Sequence, residues 1–175
     1  RIKGKFRLEG HKLTNPVAVG DVVQIEKIGE DHQIIEIEAR SNYVVRQSPR
    51  KKHYLHIIAS NVDQALLVVS MKAPKLKQGF IDRFLLMTEP YDIPVIIVFN
   101  KFDLYDMDDI SLYEHLKELY EKIGYKVCCT SATGKKGLEL VKDYIKDKIT
   151  LFSGQSGVGK SSIINALDIG VDLKT

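Results

Sequence analysis

Cysteine is scarce in this 175-residue chain: only Cys128 and Cys129 are present, and they are adjacent. Neighbours on a strand point to opposite faces, so no disulfide is expected between them. A reduced cytoplasmic compartment fits, and two cysteines are too few for a structural zinc site. Long apolar runs are also missing. None approaches the roughly 18–20 residues needed to span a bilayer, so no membrane partner is expected. The opening "RIKGKFRLEG" lacks the apolar core of a signal peptide. It also lacks an initiator Met, so residues are expected in front of it. His53 and His56 have ligand-like spacing without a third ligand nearby, which argues against a metal there.

What is present is ordinary globular composition, 44% hydrophobic and 28% charged, enough for one medium domain or two small ones. The net charge of +3 hides an asymmetry. Residues 1–56 hold 11 Lys and Arg against 7 Asp and Glu, whereas residues 57–175 hold 15 against 16. The basic excess is N-terminal, a modest pointer to a polyanion partner.

The pattern also divides there. "KGKFRLEG", "DVVQIEKI", "HQIIEIEAR" and "NYVVRQ" are short strand-like runs separated by turn residues, which predicts a small all-β barrel or sandwich over residues 1–56. From Asn61 onward the runs "QALLVVS", "IPVIIVFN", "KVCCTSA" and "ITLFSG" are apolar enough for strands buried on both faces. Helical patterns alternate with them, which predicts a parallel α/β sheet over 57–175. "SPRKKHYLHIIAS" is the expected boundary. In "SLYEHLKELYEKIG", Leu112, Leu116, Leu119 and Ile123 share a stripe, and Ser111 with Glu114 resembles a capping box. Tyr113 and Tyr120 are placed on the helix flank. Asp106, Asp108 and Asp109 could suggest a cation site, but the favoured reading is that they support the N-terminus of that helix through its dipole. Further helices are expected over "FIDRFLLMTEP" and through Leu138, Val141 and Ile145.

Three motifs carry chemistry. Gly154, Gly159, Lys160 and Ser161 satisfy G-x-x-x-x-G-K-[ST] between the strand "ITLF" and the helix "SSIINAL". Glycines let backbone N–H groups surround phosphates, Lys160 reaches the outer two, and the Ser161 hydroxyl ligates Mg²⁺. The helix that follows offers its positive end to the anion. Asn100, Lys101 and Asp103 match N-K-x-D. A carboxylate at Asp103 accepts from the ring N–H and the exocyclic amine of guanine, and adenine offers neither, so ATP would leave it unpaired. Asn100 would brace neighbouring loops and the Lys101 stem would cover the ring. Ser131-Ala132, one strand and helix later, matches a base-contact pair in which a small residue lets a backbone N–H approach the guanine oxygen. The expected nucleotide contacts are therefore Asn100, Lys101, Asp103, Ser131, Ala132, Gly154, Gln155, Ser156, Gly157, Val158, Gly159, Lys160, Ser161 and Ser162. Lys160 is the expected catalytic residue, and Ser161 the expected metal ligand.

The order is unusual, because the base-reading motifs precede the phosphate loop. Circular permutation produces this order, and domain termini lie close enough together to permit it. "KDKI" at 146–149 would supply the link. On "NVDQALLVVS", "GFIDRFLL", "VFNKFDLYD", "TSATGKKGLEL" and "FSGQSGVGKSSIINALD", the chain resembles the circularly permuted GTPases of bacterial ribosome assembly. It is most similar to the small ribosomal subunit-dependent RsgA (YjeQ/EngC) family. The resemblance implies an OB-fold N-terminal domain that binds rRNA. It also implies GTP/GDP and Mg²⁺ as ligands, and a role in late maturation of the small (30S) subunit as a GTP-hydrolysing enzyme. Beyond Thr175 it implies the switch threonine, a D-x-P-G motif and a Cys/His zinc domain. The chain is therefore expected to stop before the switches, with the strand at 150–153 at an edge. It is expected to be monomeric, and to bind guanine nucleotide while hydrolysing it poorly.

Weaker signals stay open. "RQSPRKKHYLH" reads as an RNA-tracking run with a stacking Tyr54, or as a solvated linker. Lys3, Lys5 and Arg7 on one strand face read as an RNA surface, or as a barrel exterior. The alternative to a GTPase is a non-catalytic rRNA-binding module stabilised by guanine nucleotide. A different phosphate-loop enzyme is disfavoured by "NKFD".

Overall fold

The structure is a computed structural model that describes residues 14–47 and 54–167, together with Gly170 and Leu173. The expected strand over "KGKFRLEG", the cations Lys3, Lys5 and Arg7, His53 and most of the basic run lie outside these residues.

The chain forms two compact units. One runs through Val62 and takes in Met87–Asp92; the other holds Asp63–Leu86 and continues from Ile93. In the first, β1 (Val23–Ile28) and β2 (Asp31–Ile37) form an antiparallel hairpin with a bulge at Gln24/Ile25. β3 (Tyr43–Gln47) pairs antiparallel with β4 (Leu55–Ser60), again with a bulge, at Val44/Val45. The stretch read as an inter-domain boundary thus contains a strand, because Ile57 and Ala59 are apolar at alternate positions and buried. A polar cluster ties these strands together. Asp21 receives bonds from Arg40 Nε at 2.7 Å, Arg40 Nη2 at 2.8 Å, Ser60 Oγ at 2.6 Å and the Ala18 N–H at 2.8 Å. Burial alone would raise the Asp21 carboxyl, but these bonds overcome it and hold it down to about 2.

The second unit is an α/β layer. β5 (Gln64–Val69), β6 (Val95–Phe99), β7 (Lys126–Cys129) and β8 (Thr150–Ser153) form a four-stranded sheet in the order β7-β6-β5-β8. Every pairing is parallel. All residues of β5 and β6 are buried, so the two central strands read as continuous apolar runs. Each fully buried Leu, Ile or Val there contributes about 1.5–3 kcal/mol. β8 is half-buried along its length and lies at an edge of the described sheet, as expected for 150–153.

Helices connect the strands: α1 (Gln78–Thr88), α2 (Met107–Lys122), α3 (Leu138–Ile145) and α4 (Lys160–Ala166). α1 gives way to a 3₁₀ turn at Glu89–Tyr91, around Pro90. α2 corrects two expectations. Its capping box is Asp106 with Asp109, not Ser111 with Glu114: Asp106 Oδ1 accepts from the Asp109 N–H at 3.0 Å, and Asp109 Oδ2 from the Asp106 N–H at 3.1 Å. Its buried stripe is Tyr113, Leu116 and Tyr120, whereas Leu112, Leu119 and Ile123 are exposed. Tyr113 meets the rings of Phe99 and Phe102 edge-on, and the Tyr120 hydroxyl donates to Asp82 at 2.8 Å. Large rings with satisfied hydroxyls outcompeted leucines for the inner face.

Between α3 and β8, residues 146–149 form the short link anticipated from "KDKI". Asp63 Oδ2 accepts from the Ile149 N–H at 2.7 Å, and the buried Gln64 donates to the Tyr144 carbonyl at 2.7 Å. The cysteines of β7 are free thiols, and burial pushes the Cys128 thiol up to about 12. Among the described residues, no helix is long and apolar enough to cross a membrane, and no His/Cys/Asp/Glu cluster could hold a metal ion.

Candidate nucleotide site

Parallel pairing brings the strand ends to one edge of the sheet. Val69 and Cys129 both align with Phe99, and Ser153 with Leu67. The segments that follow, from Ser70, Asn100, Thr130 and Gly154, therefore gather at the carboxyl side. Chain order also reverses there: β6 and β7 extend from one side of β5, and β8 lies on the other. Ligands of open α/β sheets bind at such a switch point.

The phosphate loop connects β8 to α4. Gly154 and Gly159 sit at φ +146° and +94°. A Cβ at Gly154 would strike the Val68 carbonyl, and one at Gly159 the Asn100 amide. Only glycine allows so close an approach. The loop borders a cavity of about 360 Å³ lined by Lys101, Ser156, Gly157, Gly159, Lys160, Ser161 and Ser162. Two cations, three hydroxyls and bare backbone make a lining suited to a phosphate chain. Lys160 folds back over the loop, donating to the Gly154 carbonyl at 2.9 Å and the Gln155 carbonyl at 2.8 Å. Burial lowers its pKa, and an anion beside it would raise it again. Val158 is buried beneath the loop among the sheet residues, and Gln155 contributes backbone.

Asn100 joins the loop to the base-reading segments. It is 1% exposed. Its Nδ2 donates to the Val158 carbonyl at 2.9 Å, and its Oδ1 accepts from Thr130 Oγ1 at 3.0 Å. Lys101 adopts a left-handed φ of 63° and donates to the Ala73 carbonyl at 2.6 Å. Asp103 is exposed, and its Oδ1 accepts from Ser131 Oγ at 2.5 Å. Ser131 is buried, also receives the Gly134 N–H at 2.9 Å, and exchanges backbone bonds with Lys136. Ala132 packs against the sheet core. Asp103 is thus an exposed carboxylate held at Oδ1.

The structure thus gathers all three motifs at one sheet edge, with Asn100 touching the phosphate loop and Thr130. Thr130, which precedes the Ser-Ala pair, was missed in the sequence, as were Tyr105, whose hydroxyl donates to the Asn100 carbonyl at 2.9 Å, and Lys72, which pairs with Asp106 at the start of α2. Nothing in composition or period marks them.

Sheet and motif order define the class: a phosphate-loop α/β domain of the circularly permuted GTPase kind. The chain belongs to the RsgA GTPase family, whose pattern it matches over residues 37–175. It is 48% identical over 176 residues to the small ribosomal subunit biogenesis GTPase RsgA of Bacteroides fragilis, covering 100% of this chain and 57% of that protein. It is 44% identical over 180 residues to the protein of the same name from Flavobacterium psychrophilum, covering 100% and 55%. Among solved structures it is similar to YjeQ from Thermotoga maritima, with a TM-score of 0.72, 35% identity, and 99% and 58% of the two chains covered. The circularly permuted GTPase YloQ gives a TM-score of 0.62 at 38% identity, covering 86% and 50%. The chain spans little more than half the length of the curated relatives it matches.

Proposed function

We propose that this chain is the guanine-nucleotide-binding part of a GTPase that acts in late maturation of the small ribosomal subunit. One observation carries the nucleotide half. The exposed carboxylate of Asp103, oriented by Ser131, shares a sheet edge with a glycine-built phosphate loop, and Asn100 bridges the two. Asp103 accepts from the ring N–H and amine of guanine, the Ala132 backbone reaches the guanine oxygen, and the Lys101 stem covers the ring. Amides of Gln155 to Ser162 wrap the phosphates. Lys160 leaves its two carbonyl partners for the outer phosphates, where its charge is worth more as negative charge builds on the bridging leaving oxygen in hydrolysis.

Ser161 lines the cavity and would hold Mg²⁺ together with phosphate oxygens and water, in keeping with how that ion binds. When bound, Mg²⁺ neutralises charge on the outer phosphates. The ribosomal half of the reading is supported by family membership and by the relatives' names. In it, the first unit is an OB-fold domain whose basic excess meets rRNA, and the second unit, from Asp63, carries the nucleotide. The protein acts in the cytoplasm as a monomer.

Asp103→Asn tests the base reading. The variant should lose GDP affinity and gain xanthosine diphosphate, whose added oxygen accepts where guanine donates. Wild-type protein binding ADP as tightly as GDP would sink the assignment.

A further inference from the structure

The segment that reads the base is fastened at three points to the loop after β5, a loop that belongs to no nucleotide motif. The Tyr105 hydroxyl donates to the Asn100 carbonyl at 2.9 Å and accepts from the Met71 N–H at 3.1 Å. Tyr105 is buried at 9% exposure, so water cannot substitute freely for either bond. Burial also pushes its phenol above the ordinary value, so the donor proton stays in place. On the far side of the same segment, Lys72 Nζ meets Asp106 Oδ2 at 2.6 Å and Asp109 Oδ2 at 2.9 Å. Those two carboxylates are the capping box that starts α2. A third contact runs the other way: Lys101 Nζ donates to the Ala73 carbonyl.

Residues 100–106 therefore leave β6, turn through Phe102–Leu104 and enter α2 with Lys101 tied to Ala73 at one end and Tyr105 and Asp106 tied to residues 71–72 at the other. Asp103 lies between the Lys101 tie and the Tyr105 and Asp106 ties. A turn held only by its own short 3₁₀ bonds would let that carboxylate swing. Held at both ends, it presents one geometry to the ligand, and binding costs less ordering.

We propose that Tyr105 and Lys72 are positioning residues for guanine recognition, holding the Asp103 carboxylate through the loop Ser70–Ala73. The inference rests on the guanine reading above and deepens it. The loop acts as an outer brace of the base pocket: Tyr105 clamps Asn100 from below, and Lys72 fixes where α2 begins.

The test compares GDP with inosine diphosphate in the full-length protein. Inosine keeps the ring N–H but lacks the amine, so it makes one of the two bonds to Asp103. A loosened carboxylate should cost GDP more than inosine diphosphate. Tyr105→Phe keeps the ring against Phe102 and removes only the hydroxyl. It should weaken GDP by about tenfold, the scale of a buried partner left unsatisfied, and lower the GDP-to-inosine-diphosphate preference. Lys72→Met should move both readouts the same way by about threefold, and Lys72→Arg should restore them. Equal losses for both nucleotides would mean that the ties only support the fold, and would overturn the proposal. So would unchanged affinities in both variants. Wild-type protein that does not prefer GDP to ADP would instead refute the guanine reading itself, a result that these variants do not resemble.

Discussion

Replacing Asn100 with Ala probes the joint between the two halves of the site. The side chain makes two buried hydrogen bonds, to the Val158 carbonyl and from Thr130 Oγ1. Truncation removes both and leaves a carbonyl and a hydroxyl without those partners. Each unsatisfied group costs about 1–3 kcal/mol, so the pair should cost about 2–6 kcal/mol, part of it recovered if a water enters. Urea unfolding of the nucleotide-free protein, followed by helical circular dichroism, should show a lower midpoint at unchanged slope. The helices report chiefly on the α/β unit. Asn100→Asp is the sharper comparison. It keeps the shape and the acceptor for Thr130 but sets a carboxylate against the Val158 carbonyl. At neutral pH it should be at least as damaging as Asn100→Ala, and it should recover as pH falls, because a protonated carboxyl donates again. If Asn100→Ala stayed within about 0.5 kcal/mol of wild type, Asn100 would not be the joint described here.

Two further predictions concern backbone space and pH. Gly159→Ala should abolish nucleotide binding and destabilise the fold by about 1–3 kcal/mol, because its methyl would enter the space of the Asn100 amide at a φ that side chains disfavour; normal GDP affinity by calorimetry would refute this. The Asp21 carboxyl is held at about 2 against an ordinary 3.8. A depressed carboxylate contributes stability above its unfolded pKa, and that stability fades as pH falls through the folded value. The first unit should therefore lose up to about 2 kcal/mol between about pH 4 and pH 2, and an acid limb equally steep in Asp21→Asn would contradict the assignment.

The motif residues were legible in the sequence because their chemistry is tied to spacing. A phosphate loop needs glycine where φ is positive and a lysine at a set distance, so Gly154, Gly159 and Lys160 announce themselves. The central strands were legible because a strand covered on both faces has no polar positions to spare. The brace was not legible. Tyr105 and Lys72 act by reaching backbone and carboxylates some 34 positions away in the chain, and their neighbours in sequence look like any loop. Helix α2 misled for a related reason. Its leucines satisfy the helical period, but Phe99, Phe102 and Asp82 decide which stripe is buried, and these lie on other elements.

The permuted order alters less chemistry than it first suggests. In a parallel sheet every strand delivers its carboxyl end to the same edge, so a site assembled from those ends does not depend on which strand comes first. What permutation does demand is a short, firmly held join between the strands and helices it newly links. Residues 146–149 meet that demand: Ile149 donates to Asp63, just before β5, and Lys148 to Gln64 at its start. This grip lies at the opposite end of β5 from the candidate nucleotide site, since Gln64 aligns with Thr150 while Ser153 leads into the phosphate loop. Weakening the join by Asp63→Ala should therefore lower stability while leaving the preference for guanine over adenine intact. Loss of that preference would mean that the connection, and not only the sheet edge, shapes the site.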